Sequence, residues 1–235
     1  MEDAGEAPDS LAPLVARIVA RIVELRRAAP AARSLLVALS GIDASGKGHV
    51  AARLAAALGG EALRTGVIGI DGWLRLPRER FSATDPGGHF YRHALRFEEL
   101  FRDLVLPLKA RRTLRLEADF AAETASVYRR HVWAFDDLDV ILLEGVFLLQ
   151  RAFQDGRYDL AVWIECSFET ALARALARGQ EGLGPEETVQ AYRTIYFPAQ
   201  ELHLALDRPR EAAEVVLVND PRLGADQRGR IQTLR

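Results

Sequence analysis

Five short runs of apolar residues recur along the chain, and longer segments with helical character separate them. Each run is continuously apolar, without polar alternation, which is typical of strands in a parallel sheet covered on both faces. Alternation of such strands with helices predicts an α/β doubly wound domain, with ligands at the carboxyl ends of the strands. The five runs are residues 35–39, 67–70, 140–143, 160–164 and 215–218.

The segment before the first run predicts a tail followed by an amphipathic helix. Residues 1–9 are predicted to be a disordered tail, and Ser10 is a candidate N-cap. Apolar side chains then recur at helical spacing from residue 11 to about residue 29, and Pro30 ends the helix. We therefore predict a single domain over residues 10–235 that begins with a helix at 10–29.

A glycine-rich loop with a lysine follows the first apolar run. Residues 41–48 read Gly-Ile-Asp-Ala-Ser-Gly-Lys-Gly, the G-x-x-x-x-G-K pattern of a P-loop between a strand and a helix. Backbone N–H groups of such a loop and of the helix start bind a phosphate chain, and Lys47 adds a positive charge. The predicted nucleotide-binding residues are Gly41, Asp43, Ala44, Ser45, Gly46, Lys47, Gly48 and His49.

The use of lysine strengthens the P-loop interpretation. Of the 31 lysine and arginine residues, only Lys47 and Lys109 are lysines, so this arginine-rich chain has a lysine where a P-loop requires one. One position departs from the motif, because Gly48 stands where a serine or threonine hydroxyl ordinarily ligates Mg²⁺. Either water and carboxylates complete the metal's coordination, which Mg²⁺ readily accepts, or the loop binds nucleotide without catalysis.

Composition and charge narrow the classes of protein that need consideration. The 235 residues are 49% hydrophobic and 27% charged, as in an ordinary globular domain. The net charge of −2 favours neither nucleic acid nor an anionic membrane as a partner. The sequence has no apolar stretch of the length that a membrane span requires, so we predict no membrane span. Its first residues are acidic and lack the basic start of a signal peptide, so we predict no signal peptide. The single cysteine, Cys166, cannot form an internal disulfide, so we expect a cytoplasmic protein.

Acidic residues follow two of the other apolar runs. Asp71 comes after the second run and Glu144 comes at the end of the third, so the strand order 2-3-1-4-5 would bring both beside the P-loop. A carboxylate there can ligate Mg²⁺ or accept the proton of an attacking hydroxyl. The alternatives are a turn residue before Gly72 for Asp71, and a helix-start carboxylate for Glu144.

Two arginines lie one turn apart on a predicted helix at residues 168–178. At this i, i+4 spacing Arg174 and Arg178 share one face, from which they could neutralise charge on a nucleotide. An arginine-rich solvated face is the alternative. We place both in a lid-like region at about residues 170–195. An aromatic and polar cluster is a candidate acceptor pocket, or else a set of surface loop residues: Phe81, His89, Phe90, Tyr91, Arg92 and His93.

Taken in order, these motifs resemble those of uridine kinases and their relatives, the P-loop kinases that include phosphoribulokinase and pantothenate kinase. The resemblance implies a three-layer P-loop NTPase fold with a mainly parallel five-stranded sheet in the order 2-3-1-4-5. It also implies that Asp71 is the catalytic base, that Glu144 helps to hold magnesium, and that Arg174 and Arg178 belong to a lid. The matching segments are residues 40–47, 70–73, 141–146, 174–178, 196–200 and 218–220.

We therefore expect an ATP- and Mg²⁺-dependent kinase that phosphorylates a hydroxyl group of a small molecule, with a nucleoside such as uridine or cytidine as the first candidate. The predicted catalytic residues are Asp71, Lys47, Arg174 and Arg178, and the predicted metal ligands are Glu144 and Asp71. A sugar acid, a pantothenate-like compound or a sugar phosphate is an alternative acceptor, because residues 72–128 do not match the pyrimidine-binding region. A non-catalytic nucleotide-binding regulator also stays open, and a homo-oligomer is compatible with the sequence.

Overall fold

The computed structural model describes residues 11–179, 182–222 and 232–233. Within these ranges the chain forms one six-stranded sheet and one two-stranded hairpin. Each of the five predicted runs coincides with a strand, although Ile70 of the second run falls in the turn that follows. Most of their Val, Leu and Ile side chains are buried in the sheet, and Val67 is the most exposed of them at 40%. The strands are β1 Leu35–Gly41, β2 Thr65–Gly69, β3 Leu114–Phe120, β4 Arg129–Phe135, β5 Val140–Gly145, β6 Leu160–Glu165, β7 Val215–Val218 and β8 Gln232–Thr233.

The large sheet places β1 at its centre. From one edge to the other, the strands are β2, β5, β1, β6, β7 and β8. The first five are parallel, and with the hairpin set aside they are the second, third, first, fourth and fifth apolar runs of the chain. β8 pairs antiparallel with β7 and adds an edge strand that the sequence analysis did not predict. The carboxyl ends of β2, β5 and β1 therefore lie side by side.

Helices cover both faces of this sheet. One face packs against the helices Ala12–Ala28 and Lys47–Gly60. The other face packs against helices later in the chain, which include Phe168–Arg178 and Phe197–Asp207, so the architecture has three layers. No helix among the described residues is long and apolar enough to cross a membrane. The helices are α1 Ala12–Ala28, α2 Lys47–Gly60, α3 Pro77–Arg80, α4 Pro86–His93, α5 Phe97–Glu99, α6 Leu106–Arg111, α7 Phe168–Arg178, α8 Pro185–Ala191, α9 Phe197–Asp207 and α10 Pro209–Ala212.

The N-terminal helix is close to its predicted bounds. It runs over Ala12–Ala28, and its apolar stripe is buried against α2 and the sheet at Leu14, Ile18 and Ile22. The predicted tail at residues 1–9 and the predicted N-cap Ser10 lie outside the described residues.

The region without a sequence match, residues 72–128, consists mainly of α3 to α6 and ends with the first strand of the β3–β4 hairpin and the loop after it. The inner side chains of the hairpin pack on the turn that follows β2, where Trp133 stacks on Trp73 with ring centroids 6.4 Å apart. Gly72 allows this close approach, because a Cβ atom there would lie 2.7 Å from the Phe120 ring. The hairpin thereby holds the short 3₁₀ turn Ile70–Gly72, which carries Asp71.

Two helical stretches widen into π-helical turns shortly before a proline. Leu100–Val105 joins α5 to α6 ahead of Pro107, and Tyr192–Tyr196 joins α8 to α9 ahead of Pro198. Proline has no N–H to donate and its ring crowds the preceding turn, and a wider turn accommodates both effects. The second π-helical turn aims Tyr192 at the P-loop.

Candidate active site

The P-loop joins β1 to α2 across the carboxyl end of the sheet. Gly46 sits just before the first residue of α2 with a φ of 93°, a left-handed conformation that favours glycine. A Cβ atom at Gly46 would also lie 2.4 Å from the Asn219 amide nitrogen. α2 has no side-chain cap, so the N–H groups of its first turn and the positive end of its dipole can serve an anion.

A side chain that follows β7 and one on α7 hold the loop in this shape, together with the loop's own lysine. The Asn219 amide donates a 2.8 Å hydrogen bond to the carbonyl of Ser45. The Arg174 guanidinium donates to the same carbonyl at 3.3 Å. The Lys47 side chain folds back, and its Nζ donates a 2.8 Å hydrogen bond to the carbonyl of Ile42. The ammonium group therefore lies within the loop.

A cavity of about 400 Å³ opens above the loop, and we call it the P-loop cavity. It unites residues that the sequence analysis had picked out at three separate strand ends and on α7. Gly41 and Ser45, which were predicted to bind nucleotide, lie behind this cavity, where a Cβ atom at Gly41 would be 2.6 Å from Ser45 Oγ. The lining residues are Asp43, Ala44, Gly46, Lys47, Gly48, His49, Asp71, Glu144, Arg174 and Arg178.

Two carboxyl groups in the P-loop cavity have raised pKa values. Burial is the main cause for both Asp71 and Glu144, and the charge of Lys47 opposes it. Protein atoms crowd around Asp71, but its side chain keeps contact with solvent inside the cavity. Water in the cavity therefore limits how far burial raises the pKa of Asp71. Glu144 is half-buried, and the register partner Gly69 makes room for its carboxylate.

Asp43 is the third acidic group at this site, and it lies on the P-loop itself. One of its oxygens accepts a hydrogen bond from the Tyr192 hydroxyl and lies 3.7 Å from Arg178. The other oxygen accepts a 2.8 Å hydrogen bond from the Ala44 N–H. The sequence analysis missed Tyr192, which is 149 residues from Asp43 along the chain.

α7 brings Arg174 and Arg178 to the P-loop cavity and is fastened at its N-terminus. Asp220 accepts hydrogen bonds of 2.8 Å from the Ser167 N–H and 2.7 Å from the Thr170 hydroxyl. Burial alone would raise the Asp220 pKa, but these bonds outweigh it and hold the pKa well below the usual carboxyl range. Of the predicted lid-like region, residues 180–181 lie outside the described residues.

A second pocket adjoins the P-loop cavity, and we call it the side pocket. Its volume is about 60 Å³. Asp43, Asp71 and Arg178 line both spaces, so these residues form the boundary between them. The other lining residues are Leu74, Phe90, Ala94, Leu95, Glu123, Val146, Tyr196 and Gln200.

Of the predicted aromatic and polar cluster, only Phe90 lines the side pocket. Phe81 stacks behind it with ring centroids 5.8 Å apart. Tyr91 points elsewhere and donates a hydrogen bond to Asp207. The exposed Arg92 pairs with Asp85, and His89 and His93 contact each other. These three residues do not line the side pocket.

Magnesium coordination by Glu144 and Asp71 remains a prediction. Both carboxylates open into the P-loop cavity. Across residues 11–179, 182–222 and 232–233, no group of three or more His, Cys, Asp or Glu side chains forms a ready-made metal site. Mg²⁺ ordinarily needs only one or two protein carboxylates beside water and phosphate oxygens. The two carboxylates present meet that requirement.

Comparison with solved structures shows which proteins share this architecture. The chain resembles a candidate uridine kinase from Bacillus stearothermophilus, with 22% identity, 85% of this chain and 98% of that chain covered, and a TM-score of 0.63. The chain has the fold of the uridine kinase-like P-loop kinases. No protein-family model and no curated protein matches the sequence.

Two further structures share this fold but differ from each other in the acceptor that their names state. D-glycerate 3-kinase from Cryptococcus neoformans var. grubii is 12% identical, with 97% of this chain and 100% of that chain covered and a TM-score of 0.64. A candidate fructose transport system kinase from Silicibacter sp. TM1040 is 23% identical, with 88% and 97% covered and a TM-score of 0.60. At these identities the likeness establishes the fold alone.

Proposed function

We propose that this protein is an ATP-dependent kinase that transfers a phosphoryl group to a hydroxyl of a small molecule. The observation that carries the proposal is the position of Asp71 on the boundary between the P-loop cavity and the side pocket. A carboxylate between a phosphate site and a separate pocket is where a general base for phosphoryl transfer has to stand.

The P-loop cavity fits the triphosphate of ATP. Its uncapped helix N-terminus and left-handed glycine form an anion cradle, and Lys47 and two arginines supply positive charge. On ATP binding we expect Lys47 to leave the carbonyl of Ile42 for phosphate oxygens. A bound Mg²⁺ would neutralise phosphate charge, with Glu144 as its candidate protein ligand.

Asp71 would act on the acceptor. It accepts the hydroxyl proton while the acceptor oxygen forms its bond to the γ-phosphorus, and the bond to the β-phosphate oxygen breaks to release ADP. Arg174 and Arg178 would stabilise the charge on the transferring group. The raised pKa of Asp71 makes its carboxylate a stronger base than an ordinary aspartate, which favours proton transfer from the acceptor hydroxyl.

The nucleoside acceptor predicted from the sequence stays a prediction. The structural neighbours are named for a pyrimidine nucleoside, a ketose and a sugar acid, so one fold serves chemically different acceptors. The residues of the side pocket, and not the fold, have to select the acceptor.

A coupled assay of ADP release tests the proposed function. The purified full chain is incubated with ATP and Mg²⁺ and with uridine, cytidine, pantothenate, glycerate, ribulose 5-phosphate or neutral polyols. We expect ADP release that depends on one class of acceptor. Tight ATP binding without transfer to any acceptor would contradict the proposal and favour a nucleotide-binding regulator, with Gly48 as the structural reason.

A further inference from the structure

The side pocket is small. Its 60 Å³ is well below the roughly 300 Å³ at which pockets for drug-sized ligands ordinarily begin. Phe90, Leu74 and Leu95 close its walls, and each is more than nine-tenths buried against the core. A sugar joined to a nucleobase cannot enter without displacing this packed wall, so the pocket selects a short acceptor.

A buried amide lines this small space. Gln200 on α9 is only 3% exposed, and its Oε1 accepts no hydrogen bond from any described residue. A buried carbonyl oxygen without a donor is unfavourable, and a ligand that donates to it removes that penalty. A ligand in the side pocket that reaches Gln200 with a hydroxyl would satisfy this oxygen.

Among the described residues, the lining of the side pocket carries no excess of positive charge that would bind an anionic acceptor. Asp43, Asp71 and Glu123 line it together with Arg178. The buried Arg80 lies behind the pocket and donates to the Glu123 carbonyl, and the charge of Lys47 also acts on Asp71. Three acidic residues are therefore balanced by three cationic ones, and this balance suits a neutral acceptor.

We propose that the side pocket takes a short neutral polyol with at least two hydroxyls, in keeping with its small volume and the buried Gln200 oxygen. One hydroxyl faces Asp71 and receives the phosphoryl group, and a second donates to Gln200 Oε1. The carbon chain lies against Phe90, Leu74 and Leu95. The inference rests on the proposed function and narrows its acceptor from a nucleoside to a short uncharged polyol.

An acceptor series on the wild-type enzyme tests size and charge together. Glycerol, erythritol and xylitol are compared with glycerate, which adds a negative charge at the size of glycerol, and with uridine, which adds a base. We expect the best polyol to exceed both in kcat/KM by about tenfold or more. Equal or higher kcat/KM for uridine or glycerate would overturn the inference and leave the proposed function intact. No transfer to any acceptor would overturn both.

A variant tests the role of the amide. Gln200→Leu keeps the bulk of the side chain but removes the acceptor oxygen, so KM for the preferred polyol should rise about tenfold while KM for ATP stays within about twofold. Gln154→Leu makes the same change at an exposed glutamine that lines neither cavity and lies outside the lid-like region, and it should alter neither constant. An unchanged polyol KM in a folded Gln200→Leu protein would overturn the assignment.

The acceptor itself provides a test that needs no folded variant. Removing the second hydroxyl of the preferred polyol, as 1,2- and 1,3-propanediol do for glycerol, should raise KM about tenfold in the wild-type enzyme. In Gln200→Leu the same removal should have little further effect, because the partner oxygen is already absent. A diol that matches the full polyol in wild-type KM would contradict the hydrogen bond to Gln200.

Discussion

The P-loop cavity and the side pocket share Asp43, Asp71 and Arg178, but the rest of each is built differently. The P-loop cavity is wide, open and lined by charged groups, with backbone N–H groups at the start of α2. The side pocket is small, and it sets aliphatic and aromatic walls beside charged groups and the buried Gln200, whose Oε1 accepts no hydrogen bond from any described residue. A phosphate chain and a carbon chain are the ligands that such different linings suit.

The difference also concerns how each region is held together. The P-loop cavity depends on hydrogen bonds from Asn219 and Arg174 to loop carbonyls. The side pocket depends on packing, because its aromatic and aliphatic walls belong to the hydrophobic core. We therefore expect polar substitutions near the loop to change nucleotide binding, and volume changes near Phe90 to change acceptor selection.

The largest expected effect comes from replacing Lys47, which lines the P-loop cavity but not the side pocket. Lys47→Ala removes the only lysine in the P-loop cavity and should abolish measurable ATP binding, with kcat lower by about 10²–10³-fold or more. Calorimetry with ATP measures the binding. Lys109→Ala, at the other lysine of the chain, is the control and should retain ATP binding in a folded protein. Retained ATP affinity in Lys47→Ala would contradict the P-loop assignment.

The second expected effect falls on the boundary between the regions. Asp71→Asn keeps the size of the side chain but removes the base, so kcat should fall about 10²–10⁴-fold with little change in ATP affinity. In the wild-type enzyme a raised pKa should place the acidic limb of kcat/KM above the ordinary carboxyl value of 3.8. Activity should rise with pH through that limb, because the base works deprotonated. Turnover that survives in Asp71→Asn would make Asp71 a turn residue.

A smaller effect tests the fastening of α7. Asp220→Asn weakens the hydrogen bonds to Ser167 and Thr170 and should lower the free energy of unfolding by about 1–3 kcal/mol. The folded pKa is depressed, so this stabilisation is fully present above the ordinary value of 3.8 and is lost as the pH falls toward the depressed value.

Denaturant unfolding at several pH values measures the Asp220 effect. Asp103→Asn, which removes an exposed ion pair with Arg102, is the control and should change stability by less than about 1 kcal/mol. Equal effects of the two substitutions at neutral pH would show that Asp220 does not fasten α7.

The smallest expected effect concerns Gly48. A Cβ atom at this position meets nothing within 4 Å, so Gly48→Ser should fold without strain and add the hydroxyl that the P-loop motif ordinarily supplies. We expect half-maximal activity at a lower Mg²⁺ concentration, by a factor on the order of a few-fold. Gly48→Ala adds the carbon without the oxygen and serves as the control. Identical Mg²⁺ curves for the two variants would rule out a role for the hydroxyl.

The contrast between the P-loop cavity and the side pocket also explains which residues could be predicted from the sequence. The P-loop, Asp71 and Glu144 each lie on or directly after a continuous apolar run, and the carboxyl ends of parallel strands meet at one edge of a sheet. Local sequence was therefore enough to bring these residues together. The two arginines on α7 were found by their helical spacing.

The side pocket could not be assembled in this way, because its lining comes from segments far apart in the chain. Phe90 on α4, Val146 after β5 and Gln200 on α9 meet only through helix packing on the sheet. The β3–β4 hairpin was also missed, although Leu114, Leu116 and Ala118 alternate with polar residues at the period of a strand. That alternation was the signal that could have found it.

The most direct test of the account is the fate of the γ-phosphate. The full chain is incubated with Mg²⁺, γ-labelled ATP and the preferred acceptor, and mass spectrometry counts acceptor phosphate against ADP. We predict one acceptor phosphate for each ADP in the wild type, and formation of both products slower by about 10²–10⁴-fold in Asp71→Asn. ADP accompanied by free inorganic phosphate, or no ADP despite bound ATP, would contradict phosphoryl transfer across the boundary at Asp71.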